Sequence, residues 1–377
     1  MRRVCYVSGT RADFGLIRRT LRLAQASGRL EVCVCVTGMH LSPAFGQTAR
    51  DVEASGLRIC ARIPVALEAC TGAAMAVALG QELLEMTALF ERQRSDLVMV
   101  LGDRGEMLAG ALAALHLNIP VVHVHGGERS GTVDEPIRHA ISKLAHYHFV
   151  ATPGARGRLI HMGERPEHVF VTGAPGLDGL RELGQKDRAA LCRDLDLDPE
   201  RPVALVIYHP VLQEADRAGT QAEAVLQAVL AARLQALCFL PNADAGGRLI
   251  RSVLERYRDD RRVRLISHLP RPDFVSSLAA ADVMVGNSSS GIIEAATFGL
   301  PVVNVGTRQR DRERSGNVLD VPEADAGKIR AAIAASLGRP RPVVPNVYGD
   351  GQAGQRIVEL LATLPIGESV LAKSNAY

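Results

Sequence analysis

The sequence predicts an α/β protein built from two Rossmann-like domains whose parallel sheets face a cleft. Length and composition come first: 377 residues, 47% hydrophobic and 23% charged, are too many for one ordinary core and suit two of conventional size. The second observation is a rhythm. Short Val- and Ile-rich runs at 4–7, 31–36, 97–101, 120–124, 147–151, 203–208, 236–240, 282–285 and 301–305 alternate with helix-prone stretches, as in βαβ units, where strands covered on both faces read as continuous apolar runs. The third is punctuation. A charged, helix-prone segment, QKDRAALCRDLDLDPERP at 185–202, separates the first set of runs from the second and places a boundary within 175–200. The expected domains are 1–180 and 181–377, with the last helical stretch, 352–364, able to pack back on either. In such sheets, ligands sit on the loops beyond the carboxyl ends of the strands. The final dozen residues are expected to be loosely ordered.

Charge excludes several partners. The net charge of +3 comes from 44 basic and 41 acidic residues, so no global field favours nucleic acid or an anionic membrane, and any anionic ligand must be bound locally. The opening MRRVCYVSGTRADFG is too short in apolar residues for a signal-peptide core. With no eighteen-residue apolar run read from the sequence, no membrane span is expected. Seven cysteines without a C-x-x-C pair argue against a disulfide framework and a thiolate zinc site, and most read as small apolar fillers of strands. Cytoplasmic residence is the simplest expectation.

The motifs fall just after predicted strands. SGTRADFG at 8–15 follows the first strand and opens a helix. Its backbone N–H groups can face an anion and Arg11 can add a charge-assisted bond, or it is a plain βα turn. LGDRGE at 101–106 puts Asp103 before a long Ala- and Leu-rich helix, to cap it or to do chemistry. HVHGGERSGTVDEPIRHAISK at 123–143 is dense in ionisable groups between two apolar runs. There His123 and His125 alternate on one strand face, Glu128 and Asp134 lie in a glycine-containing loop, and Arg138, His139 and Lys143 open a helix. Grouped carboxylates raise one another's pKa and a neighbouring cation lowers it, so such a cluster can supply both a base and an acid near neutrality. The alternatives are a solvated loop of surface pairs, or a metal site of the two histidines with Asp103 and Asp134, for which ligand spacing such as H-E-x-x-H is absent.

In the second half, His209 ends a strand in IYHP, and VGNSSSGIIEAATFGLPVVNVGTRQRDRERSGNV at 285–318 carries most of the information. Ser288, Ser289 and Gly291 open a helix where a diphosphate would meet hydroxyls and backbone donors, and Glu294 can accept from ribose hydroxyls. Of Arg308, Arg310, Arg312 and Arg314, some would neutralise phosphate and others stay solvated.

At these motifs the chain resembles the UDP-N-acetylglucosamine 2-epimerases, specifically their hydrolysing branch, which releases N-acetylmannosamine for sialic or related nonulosonic acid synthesis. The likeness covers nearly the whole chain. It rests on GTRADFG, TGMH (37–40), GDR (102–104), GGE-x-SGT-x-D (126–134), IRHAISKLAH (137–146), HP (209–210), PN-x-D (241–244), GNSS-x-GI-x-EA (286–295) and GTRQ (306–309). The resemblance implies a glycosyltransferase-B-like pair of domains and a nucleotide-sugar substrate. It implies no cofactor and no metal, and a homo-oligomer, dimer or tetramer. The reaction it implies removes the C2 proton while UDP leaves C1, giving a 2-acetamidoglucal to which water adds with inversion at C2. It gives Asp103 and Asp134 acid/base positions, with His125 and Glu128 in the same catalytic set, and places His209 near C1 and the phosphate. Arg11, Arg138, His139, Asn242, Ser288, Ser289, Gly291, Glu294, Arg308 and Arg312 then hold substrate and nucleotide.

Two departures bear on the chemistry. Where many relatives read H-x-E-G-G-E this chain reads HVHGGE, so His125 holds a position often occupied by a catalytic Glu; imidazole also moves protons at neutral pH. Ile293 stands where relatives commonly carry Arg, which opens the choice of sugar between N-acetylglucosamine and a 2,4-diacetamido-6-deoxy relative. Two other classes share the architecture: a glycosyltransferase, which needs an acceptor and no acid/base group at C2, and a non-catalytic nucleotide-sugar-binding protein.

Overall fold

The computed structural model describes residues 1–130 and 134–376. Two compact units form. The first takes residues up to Arg129, Asp134–Asp178 and the segment from Tyr348 on; the second takes Gly179–Val347.

The first unit is built on β1 (Arg2–Ser8), β2 (Leu30–Thr37), β3 (Arg58–Ile63), β4 (Leu97–Leu101), β5 (Val121–Val124), β6 (Tyr147–Val150) and β7 (Val169–Val171), in the spatial order β3-β2-β1-β4-β5-β6-β7. Every neighbouring pair is parallel. Side chains alternate across β1. Val4 and Tyr6 enter a core with Phe14, Ile17 and Leu21, while Cys5 and Val7 enter the opposite one with Met86, Phe90 and Met107.

The second unit repeats the plan with β8 (Val203–Ile207), β9 (Gln235–Phe239), β10 (Val263–Ile266), β11 (Val283–Gly286), β12 (Val302–Val305) and β13 (Val318–Val321). Their order is β10-β9-β8-β11-β12-β13, again all parallel.

The last helical stretch, expected to pack on either domain, does not stay with the second: helix Ala353–Thr363 buries Ala353, Ile357 and Leu361 among Phe14, Ile17 and Leu21 of the first unit. Its amphipathic face finds there the apolar stripe of helix Arg11–Ala26, and Asp178 accepts from Ala353 N at 3.0 Å to fix its start. Nor is the tail loose as far as Asn375. Residues Glu368–Leu371 form a short helix, and Lys373 Nζ donates to Ser142 O and Ala145 O at 3.1 and 2.5 Å and pairs with Glu164 at 2.7 Å. Lastly, helix Gly72–Gln93 is long and apolar enough to cross a membrane by length and composition, although the sequence reading found no such run. One side of it, with Met86, Leu89 and Phe90, covers the sheet, while Ala73, Val77, Gly80 and Leu84 line up exposed on the other.

Candidate active site

In each unit one pair of adjacent central strands sends its following helices to opposite faces of the sheet, which opens a crevice at their carboxyl ends. In the first unit these strands are β1 and β4. The helix after β1 contributes Phe14 and Ile17 to one core, and that after β4 contributes Met107 and Ala109 to the other. In the second they are β8 and β11, whose helices supply Ala222 to one core and Ala295 to the other. GTRADFG and GDR stand at the first of these points, HP and GNSS at the second, and the other motifs follow neighbouring strands.

After β1 the chain makes a capping box: Thr10 Oγ1 accepts from Asp13 N at 3.2 Å. The Asp13 carboxylate in turn accepts from Gly9 N at 3.2 Å, Thr10 N at 2.6 Å, Thr10 Oγ1 at 2.8 Å, Ser8 Oγ at 2.5 Å and Tyr6 OH at 3.0 Å. The N–H groups of Gly9 and Thr10, expected to face an anion, are therefore taken by the protein's own carboxylate. Burial nonetheless pushes Asp13 above the ordinary carboxylate range. His40, in TGMH, braces the turn: Ser8 gives its proton to Asp13, so Nε2 donates to Ser8 Oγ at 2.9 Å and Nδ1 accepts from Thr48 Oγ1 at 2.8 Å. Gly9 lets Glu106 approach the turn, since a Cβ there would lie 1.9 Å from Glu106 Oε1. Arg11 opens the helix half-buried, and burial lowers its pKa.

Asp103 is not a helix cap. The cap position of helix Gly105–His116 is Arg104, without a side-chain cap bond, and Asp103 pairs instead with the Arg138 guanidinium. Arg138 is 1% exposed and also donates through Nη1 to Glu128 O at 3.1 Å. The turn after β4, helix Asp134–Leu144 and the glycine loop are thus tied at one buried guanidinium. The fixed fork of Arg suits such a junction.

His123 and His125 do not share a strand face. His123 lies in β5, buried, with Nε2 donating to Gly102 O at 2.7 Å and Nδ1 accepting from Ser142 Oγ at 3.0 Å. Burial depresses its pKa to about 3, so it is neutral and positions the residue before Asp103. β5 ends at Val124, and His125 turns into the left-handed region at φ 63°. That conformation is uncommon for a residue with a side chain and is held at a cost of order 1–3 kcal/mol where function fixes it. It directs Nδ1 to Glu128 Oε1 at 2.5 Å, both side chains buried. A carboxylate can only accept, so Nδ1 carries the proton and Nε2 is the basic nitrogen. Gly127, at φ 73°, admits the fold because a Cβ would lie 2.5 Å from Ala155 O.

Asp134 is the first residue of its helix rather than part of the loop, half-buried beside Glu135. His139 Nε2 lies 3.6 Å from Glu135 Oε1, and burial lowers its pKa. Lys143 sits in the last turn, not the first, and pairs with Glu164 at 2.7 Å. Residues 131–133 of the GGE-x-SGT-x-D motif lie outside the described residues. The histidine and aspartate donors do not gather into a metal site: among the described residues, the one group of at least three His, Cys, Asp or Glu donors within 4.8 Å is Cys5, Cys33 and Cys60.

In the second unit, Asn287 ties the two central strands together. Its Oδ1 accepts from His209 N at 2.7 Å and its Nδ2 donates to His209 O at 2.8 Å, which sets His209 beyond β8. Gly286, at φ 142°, precedes it because a Cβ would lie 2.1 Å from Ile207 O. Ser288 is the cap of the short helix Ser289–Ile293, its Oγ 2.9 Å from Ser290 Oγ. Ser289 follows half-buried. Gly291 plays a packing part: a Cβ there would come within 3.0 Å of Val302 and 3.2 Å of Met284 Sδ. Glu294, read as a ribose acceptor, is buried and already bound by Arg271. Arg308 Nη1 and Gln309 Nε2 both donate to Asn287 O, at 3.2 and 3.1 Å, and Arg312 follows half-buried. Arg314 instead donates to Gln309 O at 2.6 Å and pairs with Asp320, while Arg310 is exposed beside Asp311. Asn242 Nδ2 donates to Asp244 Oδ2 at 2.5 Å within its own turn.

Several site residues escaped the sequence reading. Asp13 was legible as the fourth residue of a Thr-x-x-Asp capping pattern. Glu82 and Glu106 were not, since each reads as the polar side of a helix. Thr37 Oγ1 donates to Glu82 Oε1 at 2.8 Å and Arg104 Nε to Glu106 Oε1 at 2.8 Å. Burial, with the neighbouring Glu106, raises Glu82 to about 8. Arg271 had no local signal.

Residues 22–362 match the UDP-N-acetylglucosamine 2-epimerase family model. The chain is 51% identical, over the whole of both chains, to the UDP-N,N'-diacetylbacillosamine 2-epimerase (hydrolyzing) of Legionella pneumophila. It is 33% identical to the UDP-N-acetylglucosamine 2-epimerase of Neisseria meningitidis across 90% of this chain and 89% of that one. In structure it is similar to the Neisseria meningitidis UDP-GlcNAc 2-epimerase bound to UDP-GlcNAc, with TM-score 0.80 and 19% identity over 95% of this chain and 99% of that one. The Methanocaldococcus jannaschii enzyme in complex with UDP-GlcNAc and UDP gives the same TM-score, 0.80, at 19% identity and the same coverage of 95% and 99%. These matches, together with two parallel-sheet units carrying the motifs at their central strands, mean that the chain belongs to the UDP-N-acetylglucosamine 2-epimerase family.

Proposed function

We propose that the protein is a hydrolysing 2-epimerase of UDP-N,N'-diacetylbacillosamine, releasing UDP and the manno-configured 2,4-diacetamido-6-deoxy sugar. The observation that carries the reading is the pairing of Asp103 with Arg138 and of His125 with Glu128 at one crevice. The 51% identity to the Legionella pneumophila enzyme along the whole chain supports this sugar over N-acetylglucosamine.

A proton beside an acetamido group is barely acidic, so its removal must be coupled to departure of the diphosphate. In the first half, a base takes the C2 proton, the C1–O bond breaks with its electron pair leaving on UDP, and a C1–C2 double bond forms. In the second, water adds hydroxyl to C1 and a proton returns to C2 on the opposite face. His125, held by Glu128 in the tautomer with a basic Nε2, fills the place where many relatives carry a Glu. Asp103 and Asp134 complete the acid/base set. Ser288, Ser289, Arg308 and Arg312 take the diphosphate, and His209 assists near C1.

Incubation of purified protein with UDP-N,N'-diacetylbacillosamine in deuterated water tests this. UDP and a free sugar carrying deuterium at C2 are expected, with UDP-N-acetylglucosamine turned over far more slowly. Unlabelled product overturns the elimination, and UDP release that depends on an added acceptor alcohol points to a glycosyltransferase. The product suits synthesis of a nonulosonic acid in the cytoplasm. A homo-oligomer is part of the proposal, supported by the exposed stripe of Ala73, Val77, Gly80 and Leu84, where Val77 and Leu84 are 61% and 73% exposed. Leu84→Glu should halve the mass measured by light scattering; an unchanged mass removes this helix from the interface.

A further inference from the structure

The three cysteines lie on the face of the first sheet covered by helix Gly72–Gln93, away from the carboxyl ends of the strands. Chain spacing gave no hint of them as a group, because each comes from a different strand: Cys5 from β1, Cys33 from β2 and Cys60 from β3. Cys5 and Cys33 are register partners. Cys60 arrives through an irregularity. Val34 faces Ile59 and Cys35 faces Ala61, so Cys60 is the extra residue of a bulge, a device that re-aims a side chain. The outcome is a Cys5 Sγ to Cys60 Sγ distance of 3.8 Å and three Sγ atoms within 4.8 Å of one another.

Between Cys5 and Cys60 that geometry fits a metal better than a disulfide. Tetrahedral zinc thiolates, with Zn–S of about 2.3 Å, require S···S edges of about 3.8 Å. Cys5 and Cys60 sit two strands apart, about 9–10 Å at the usual strand spacing, beyond the roughly 7 Å that a disulfide spans between Cα atoms. A further group is aimed at the cluster: Gln93, at the end of the covering helix, donates Nε2–H to Cys33 Sγ at 2.7 Å, and its Oε1 is buried without a hydrogen-bond partner. Cys238, by contrast, is an ordinary filler among apolar side chains of the second unit.

We propose that Cys5, Cys33 and Cys60 form a three-thiolate site for a soft divalent cation of the zinc class, with a water held by the Gln93 carboxamide in the fourth position. Three S–H bonds ionise as three metal–sulfur bonds form, and three protons pass to solvent. The resulting centre carries one net negative charge. Bound metal would staple the edge strand β3 to β2 and β1, the strand that leads into Ser8–Arg11.

The test uses the full-length chain, reduced, stripped with chelator and titrated with Cd2+ as an ultraviolet reporter of thiolate ligation, then with Zn2+ in competition with a chromophoric chelator. One equivalent per chain is expected. Cys60→Ser and Cys33→Ala, with folding checked by circular dichroism, should each weaken binding at least tenfold, whereas Cys70→Ser should leave it unchanged. No charge-transfer band at one equivalent, wild-type affinity in a folded Cys60→Ser, or a disulfide among the three in place of binding would each overturn the proposal.

Discussion

The two units share one plan, a parallel sheet with its crevice between two central strands, yet fill that crevice with opposite chemistry. After β1, β4 and β5 stand acids and bases: Asp103 with Arg138, His125 with Glu128, Glu106 behind Gly9. After β11 and β12 stand hydroxyls, amides and guanidinium: Ser288, Asn287, Gln309 and Arg308, with Glu294 already neutralised by Arg271. Hydroxyls, amides and guanidinium hold an anion over a wide pH range but transfer no proton. Under the proposed function the same fold separates chemistry from nucleotide binding by which residues follow the strands. It follows that substitutions in the first unit should lower kcat and those in the second should raise KM.

The largest effect tests the first half of that rule. Asp103→Asn keeps the shape but loses the carboxylate facing Arg138, and kcat should fall by roughly 10²–10⁴-fold, the range of a general acid or base. The UDP dissociation constant, measured by calorimetry, should stay within about threefold. Equal loss of both would place Asp103 in binding and break the contrast between the units.

The His125–Glu128 pair sharpens it. His125→Phe removes the proposed base and should cost about 10²-fold or more in kcat, while His125→Glu, which supplies another proton acceptor, should retain more activity than Phe. Glu128→Gln removes the partner that favours the imidazolium. The acid limb of the kcat/KM profile should then move to lower pH; an unmoved limb would show that another group titrates there.

How much of this was legible depended on how each residue is held. The central strands announce themselves as apolar runs because both faces are covered. β3, β7, β10 and β13, absent from the reading, are the sheet edges. There RICARI, VFV, VRLI and VLDV are short or interrupted by charge, since one side needs no partner and polar atoms blunt the edge. In the site, Asp103, His125 and Glu128 were legible because sequence neighbours crowd polar groups between apolar runs. Glu82 and Arg271 were not: their partners, Thr37 and Glu294, are supplied by tertiary packing. The role of Asp103 was ambiguous for the same reason, since a cap and an ion pair with a residue 35 positions away look alike along the chain.

The second unit should answer with affinity. Arg308→Met removes a guanidinium that is oriented by Asn287 O. A hydrogen bond to a charged group is worth about 1.5–3 kcal/mol, so KM and the UDP dissociation constant should rise by roughly 10–100-fold. Turnover at saturation should change by less than about threefold. A collapse of kcat instead would give this unit a part in the chemistry.

The smallest effect concerns stability. Glu82 is buried, raised to about 8 from an ordinary value of 4.5, mainly by burial. Folded protein therefore keeps a proton that the unfolded chain has released, and the stability this gives is full below pH 4.5 and lost as pH rises to 8. His123, held neutral with its pKa depressed from 6.5 to about 3, acts in the opposite sense, but only below 6.5 where the unfolded chain takes up its proton. Between pH 6.5 and 8 the Glu82 contribution is read as a fall in Tm relative to the Glu82→Gln variant. Glu82→Gln, which keeps an acceptor for Thr37 and carries no charge, should flatten that fall; a slope that persists would assign the uptake of protons to a different group.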